Sequence, residues 1–173
     1  MIFTGIKRKS NQLFFNKNVN ELATAVAESS SKKIENVLVF LDDVSLKDEV
    51  LSNLKEILGI QEKNIQLLIF LQNIPKENSD LQLYSPKDFG WYGKISNEVL
   101  KNILTKKYDL LINYSKVDDL YSNLLLLHCN TSFNVGFKHL DGRFYDLVID
   151  CKSDDFKSFN SELGKYLKIL KKI

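Results

Sequence analysis

The stretch NVLVFL, residues 36–41, is apolar without interruption and ends abruptly at Asp42 and Asp43. Side chains of a strand alternate between two faces, so a run with no polar alternation belongs in a sheet covered on both sides. A second run of this kind, IQLLIFL (65–71), follows the segment LKDEVLSNLKEILGI. In that segment Leu46, Val50, Leu51, Leu54, Ile57 and Leu58 recur at helical spacing. Ser45 stands at the cap position, Asp48 and Glu49 fall in the first turn, and Gly59 ends the helix. Strand, helix and strand in this length specify a βαβ unit and hence a parallel pair.

The pattern continues. NEVLKNILTKK (97–107) predicts a helix, YDLLINY (108–114) a third buried strand, and 117–129 a helix with Leu120, Leu124 and Leu127 on one face. FNVGF (133–137) and FYDLVIDC (144–151) predict two further strands. An amphipathic helix from about Asp154 turns Phe156, Phe159, Leu163, Tyr166, Leu167 and Leu170 inward. The fold class is therefore α/β, a three-layer sandwich of Rossmann-like or flavodoxin-like type. Its sheet is mainly parallel and five-stranded, with expected order 2-1-3-4-5. The Asp141-Gly142 turn signal offers the alternative that the last two strands pair as an antiparallel hairpin. At the front, 1–17 reads as a weak helix and 19–30 as a better one, with Asn18 or Asn20 as cap. Residues 72–94 form a long connection holding both prolines. Residues 1–34 are thus a helical, basic segment packing on one α/β domain, 35–173.

A chain of 173 residues suffices for one core, and 44% hydrophobic with 27% charged residues is a globular balance. A net charge of +2 gives no global field toward nucleic acid or anionic lipid. Cys129 and Cys151 lie beside apolar stretches and form neither a CxxC pair nor a disulfide framework, which fits a reducing compartment. MIFTGIKRKSNQLFF lacks the pattern of a signal peptide, and the longest apolar runs fall far short of the ~20 residues that span a bilayer. The expected location is the cytoplasm.

Ligands in such folds bind beyond the carboxyl ends of the strands. That nominates Asp42 and Asp43 after the first strand, Asn113 and Tyr114 after the third, and the DFGWYG loop (88–93) after the second. Paired carboxylates at a strand end suit Mg²⁺, and the simpler alternative is that one of them caps the next helix. Phe89, Trp91 and Tyr92 share one glycine-punctuated loop; such aromatics serve as interface anchors or base-stacking platforms, or close the end of a core. The letters DFG stand without a glycine-rich loop, strand lysine or HRD motif, which excludes a kinase. His128 and His139 have no metal-ligand spacing, and no GxSxG, P-loop or GxGxxG is present. Both ends are basic: Lys7, Arg8, Lys9 and Lys17 in front, Lys165, Lys168, Lys171 and Lys172 behind. If the termini meet, these make one patch for RNA, ribosome or an acidic protein.

VLVFLDDVSLKDEVLSNLKEIL resembles the start of a response-regulator receiver domain, but Asn113 stands where the phosphoacceptor Asp belongs. The succession DFGWYGKI, YDLLINY, LLLLHCNTSFNVGF and YDLVID resembles a family of uncharacterised small proteins of Bacteroidota bacteria, a domain of unknown function, over about 35–170. That resemblance implies a cytoplasmic protein and no established activity. YDLLINY through FNVGF is similar to the amino-terminal Rossmann-like half of heptosyltransferase-type glycosyltransferases, which implies fold but not catalysis, since the second domain those enzymes need has no room here. The functional expectation is a non-catalytic binding or interaction module, with a protein partner or an RNA- or ribosome-associated assembly. The alternative is a small Mg²⁺-dependent enzyme or sensor binding a nucleotide or phospho-ligand at Asp42 and Asp43. The residues specify no other cofactor.

Overall fold

The computed structural model describes residues 2–24, 33–74 and 82–173. In chain order it contains helix α1 (Ile2–Thr24), strand β1 (Val37–Leu41), helix α2 (Lys47–Leu58), and strands β2 (Ile65–Phe70) and β3 (Leu83–Tyr84). Helix α3 (Glu98–Thr105), strands β4 (Lys107–Tyr108) and β5 (Leu110–Asn113) and helix α4 (Leu120–His128) follow. Strands β6 (Asn130–Thr131), β7 (Asn134–Phe137) and β8 (Leu147–Ile149) and helix α5 (Phe156–Ile169) complete the chain.

Six strands form one sheet in the order β3-β2-β1-β5-β7-β8, and every neighbouring pair is parallel. The five long runs take the expected 2-1-3-4-5 order, with β3 added at one edge. β4 and β6 make a separate short parallel pair. The alternation along β1 shows why the sheet must be covered twice. Val37, Val39 and Leu41 pack into a core with Leu54 of α2 and Phe159, Leu163 and Leu167 of α5. Leu38 and Phe40 face the other way, into a core with Phe15 and Val19 of α1, Leu100 and Leu104 of α3, and Leu124 of α4.

The hairpin alternative is overturned: β7 and β8 run parallel, with Val135 opposite Leu147 and Phe137 opposite Ile149. Residues 138–146 cross over without an α-helix, in fewer than the dozen or so residues such a connection usually takes. A tight hairpin turn needs left-handed backbone, and Gly142 is not among the described residues with positive φ. Instead Asp141 accepts from the Arg143 amide and starts a 3-10 turn at Gly142–Phe144. Phe144 is buried against Phe15, and Tyr145 lies over Gly136, where a Cβ would come within 2.6 Å of its ring. The chain is thereby drawn across the sheet rather than reversed.

Other expectations change in detail. Asp43, not Ser45, is the cap: its carboxylate accepts from the Ser45 amide and opens a 3-10 turn ahead of α2. α1 runs through Asn18 and Asn20, so neither caps a second helix, and 25–30 lie outside the described residues. Tyr166 and Leu170 point to solvent, whereas Phe156, Phe159, Leu163 and Leu167 are buried as expected. Asn97 caps α3, accepting from the amides of Val99 and Leu100.

Candidate functional site

The strand order reverses between β1 and β5, the usual ligand crevice of this architecture. Here the chain's own groups lie across it. Asp42 turns one carboxylate oxygen to the amides of Lys116, at 2.7 Å, and Val117, at 3.3 Å, in the loop after β5. Its other oxygen is enclosed and has no partner among the described residues. Burial pushes the Asp42 carboxyl up from its ordinary range, more than the two amides pull it down. Asp43 accepts from the Ser45 amide at 2.9 Å and hydroxyl at 2.6 Å, and from Lys116 Nζ at 2.9 Å. The Ser45 hydroxyl, then Lys116, lower its pKa to about 2. Lys116, which the sequence reading missed, joins the two aspartates; its only signal was a cation just past a strand end.

Asn113 and Tyr114 do not meet at one site, because adjacent strand residues face opposite ways. Asn113 donates from Nδ2 to the Tyr145 hydroxyl at 2.8 Å and accepts from the Ser115 amide at 2.9 Å. Tyr114 is fully buried on the other face, its ring between Phe156 and Phe159 and its hydroxyl donating to Asn160 Oδ1 at 2.6 Å. An open cleft of about 460 Å³ remains over the ends of β1 and β2, bounded by Asp42, Phe70, Leu71, Gln72, Val117 and Asp119.

The DFGWYG loop divides its aromatics. Phe89 is buried between Phe70 and Tyr121, with ring centroids at 6.3 and 5.3 Å. From Phe89 to Ile95 the backbone forms a tiny antiparallel hairpin. The Lys94 amide bonds the Trp91 carbonyl at 3.1 Å, with Tyr92 at φ 52° and Gly93 at φ 71°. Left-handed backbone at both central residues is the signature of a type I′ turn. Helix α1 clamps it. Asn11 Nδ2 donates to the Gly90 carbonyl at 3.2 Å, and Asn11 Oδ1 accepts from the Gly93 amide at 2.8 Å. Ser10 Oγ accepts from the Tyr92 amide at 3.3 Å. From α4, His128 Nε2 meets the Gly93 carbonyl at 2.8 Å, and since a carbonyl only accepts, Nε2 carries the proton. The Phe14 ring stacks on His128 and fills the space where a Gly93 Cβ would stand.

Trp91 and Tyr92 therefore project from a braced tip, 44% and 66% exposed. One helical turn either side of Ser10 stand Ile6 and Leu13, 50% and 59% exposed. Arg8, Lys9, Lys17 and Lys94 are exposed as well, and the Arg8 guanidinium lies 5.9 Å from the Tyr121 ring centroid. Lys7 is half-buried. The basic ends do not merge: α1 packs on one face of the sheet and α5 on the other. Lys168 and Lys171 are exposed, but Lys172 is buried with Nζ 4.6 Å from the Phe133 ring centroid, which removes it from any surface patch.

Cys129 and Cys151 are free and half-buried, and burial pushes both thiols up, away from the thiolate a nucleophile needs. No three His, Cys, Asp or Glu among the described residues gather as metal ligands, and no described helix is long and apolar enough to cross a membrane. A model for a family of unknown function (DUF6913) matches residues 7–170. No curated protein and no solved structure matches the chain, so the likeness to glycosyltransferases acquires no relative to stand on.

Proposed function

From a chain that belongs to the DUF6913 family of unknown function, we propose a non-catalytic interaction module that presents the Trp91–Tyr92 tip and the outer face of α1 to a protein partner. The observation that carries this reading is the bracing of the hairpin. Tyr92 is held in left-handed backbone, which costs a non-glycine residue about 1–2 kcal/mol. Ser10, Asn11 and His128 hold the turn in place. Yet the two side chains it displays remain substantially exposed, Tyr92 more than Trp91. Backbone strain held by surrounding structure, beneath aromatics facing outward, fits a preorganised anchor.

The composition of the patch favours a protein over RNA. Ile6 and Leu13 are aliphatic and have no ring on which a base stacks, and interfaces with nucleic acid are far more uniformly polar and cationic. The exposed cations of α1 and the hairpin, Arg8, Lys9, Lys17 and Lys94, suit an acidic partner surface. Two free thiols and the short apolar runs fit a cytoplasmic setting.

The Mg²⁺-dependent alternative has less support. Asp43 is engaged by Ser45 and Lys116, and one oxygen of Asp42 by two amides, so an ion would have to displace the protein's own groups.

Crosslinking and purification of tagged protein from its native cells tests the proposal. A specific protein should be recovered with the wild type and lost from Trp91→Ala and from Lys9→Glu, with thermal stability unchanged. Recovery of the same partners by all three proteins refutes it.

A further inference from the structure

The hairpin and the cleft over the ends of β1 and β2 lie at one end of the molecule. Phe70 lines the cleft on one side, and Asp119 and Ser122, at the start of α4, line it on another. Phe89, at the base of the hairpin, packs against both Phe70 and Tyr121 of that first turn. A projecting aromatic pair thus stands beside a recess. Neither fills the other within one chain: Trp91 and Tyr92 remain exposed, and the cleft of about 460 Å³ stays open. Its apolar lining is open too. Val117 is 64% exposed, and Ile74, the residue after Asn73 on the wall, is 42% exposed.

The charges are complementary. No lysine or arginine lines the cleft. Asp119 on its wall accepts from the Tyr121 and Ser122 amides, and its exposed neighbour Asp118 accepts from the Asn123 side chain. The hairpin carries the exposed Lys94, and among the described residues neither it nor the two aspartates make an ion pair. We propose that the partner of the tip is a second copy of this chain. In a twofold dimer each Trp91–Tyr92 tip enters the cleft of the other copy, with Lys94 against Asp118 and Asp119. The proposal rests on the tip being an interaction surface. Because knob and recess are neighbours on one end, a single isologous docking makes both contacts at once. An unrelated acidic protein could cover the tip but would leave the cleft, with its exposed Val117, without an occupant.

The test is sedimentation equilibrium of the purified full chain at ~0.15 M salt, from about 1 to 200 µM protein. Trp91 is the only tryptophan, so its emission reports the tip directly over the same range. A monomer–dimer equilibrium is expected, with emission moving to shorter wavelength as dimer forms. Trp91→Ala and, separately, Val117→Arg should each raise the dissociation constant at least about tenfold. Mixed in equal amounts, the two variants should associate more tightly than either does alone, since one supplies a cleft and the other a tip. Val148→Ser, at an exposed valine on the opposite edge of the sheet, should behave as the wild type. A chain that stays monomeric overturns the proposal, as do dimers that either variant leaves intact, variants that do not associate on mixing, or assembly beyond the dimer. A monomeric chain would still leave the tip to a different protein, which purification from native cells detects; only retention of every partner by Trp91→Ala in that experiment refutes the tip itself.

Discussion

Gly93→Ala should destabilise this protein well beyond an ordinary glycine substitution, and the excess can be isolated. Two effects act at Gly93: φ is +71°, and a Cβ would enter the Phe14 ring. The first costs about 1–2 kcal/mol, reduced by roughly 0.4–1 kcal/mol because alanine restricts the unfolded chain. The second is overpacking, about 1–3 kcal/mol. Gly59 supplies the internal reference, since its φ is +64° and a Cβ there meets nothing within 4 Å. Gly59→Ala should therefore cost about 1 kcal/mol and Gly93→Ala about 2–4 kcal/mol. At roughly 2–4 °C per kcal/mol for a chain of this size, the second loss lowers Tm by about 4–16 °C. Urea and thermal unfolding of both variants measure the difference directly. A Gly93→Ala variant no less stable than Gly59→Ala would show that Phe14 does not pin the hairpin, and the argument for a braced tip would fall with it.

Asp42 and Asp43, though adjacent, should respond to pH with opposite sign. The Asp43 pKa is lowered from 3.8 to about 2, so its contribution is present above about pH 4 and lost as pH falls toward 2; Asp43→Asn should flatten that acid limb of a Tm–pH profile. The Asp42 pKa is raised, so its ionisation opposes folding as pH rises past 3.8; Asp42→Asn, which keeps an acceptor for Lys116 and Val117, should be neutral or stabilising at pH 7. A larger loss from Asp42→Asn than from Asp43→Asn at pH 7 contradicts this assignment. Tyr145→Phe should cost about 1–3 kcal/mol in urea unfolding, because the Asn113 amide loses its partner in a buried setting, and no measurable loss would argue against that bond. Trp91→Ala should change stability by no more than about 0.5 kcal/mol, as an exposed side chain does, so a large loss would mean that the ring is a structural plug.

The sheet was legible because its strands are buried on both faces, and uninterrupted apolar runs such as VLVFL arise for little other reason. The β8 pairing was not. Asp141-Gly142 carries a hairpin signal locally, but Phe144 beneath α1 and Tyr145 over Gly136 decide the path, and those contacts join residues far apart in sequence. β3, two residues long, has no pattern to read. α1 was obscured for a different reason. Near the hairpin its buried side chains are polar, Asn11 at 0% and Ser10 at 6%, because they bond the hairpin backbone, while Ile6 and Leu13 are exposed. A periodicity search seeks the reverse. At the strand ends, Asp42 and Asp43 were found, but Lys116 was not, since what brings it to them is the loop after β5 folding over β1.

That inversion along α1 bears on function as well as on legibility. A helix that exists only to cover a sheet would bury its aliphatic residues and leave its amides in water, since burying polar groups is unfavourable unless each finds a partner. α1 does so with Phe15 and Val19 at its far end, yet near the hairpin Ser10 and Asn11 are committed inward and Ile6 and Leu13 outward. Both departures concern one neighbourhood, the same one in which Tyr92 is held at positive φ and Trp91 projects. At the switch point the opposite holds: most of the carboxylate oxygens that a ligand could use are already bonded to Ser45, Lys116 and Val117. Internal hydrogen bonds and the Lys116 ion pair account for the carboxylates at the strand ends, whereas no internal partner accounts for the exposed faces of Trp91, Tyr92, Ile6 and Leu13.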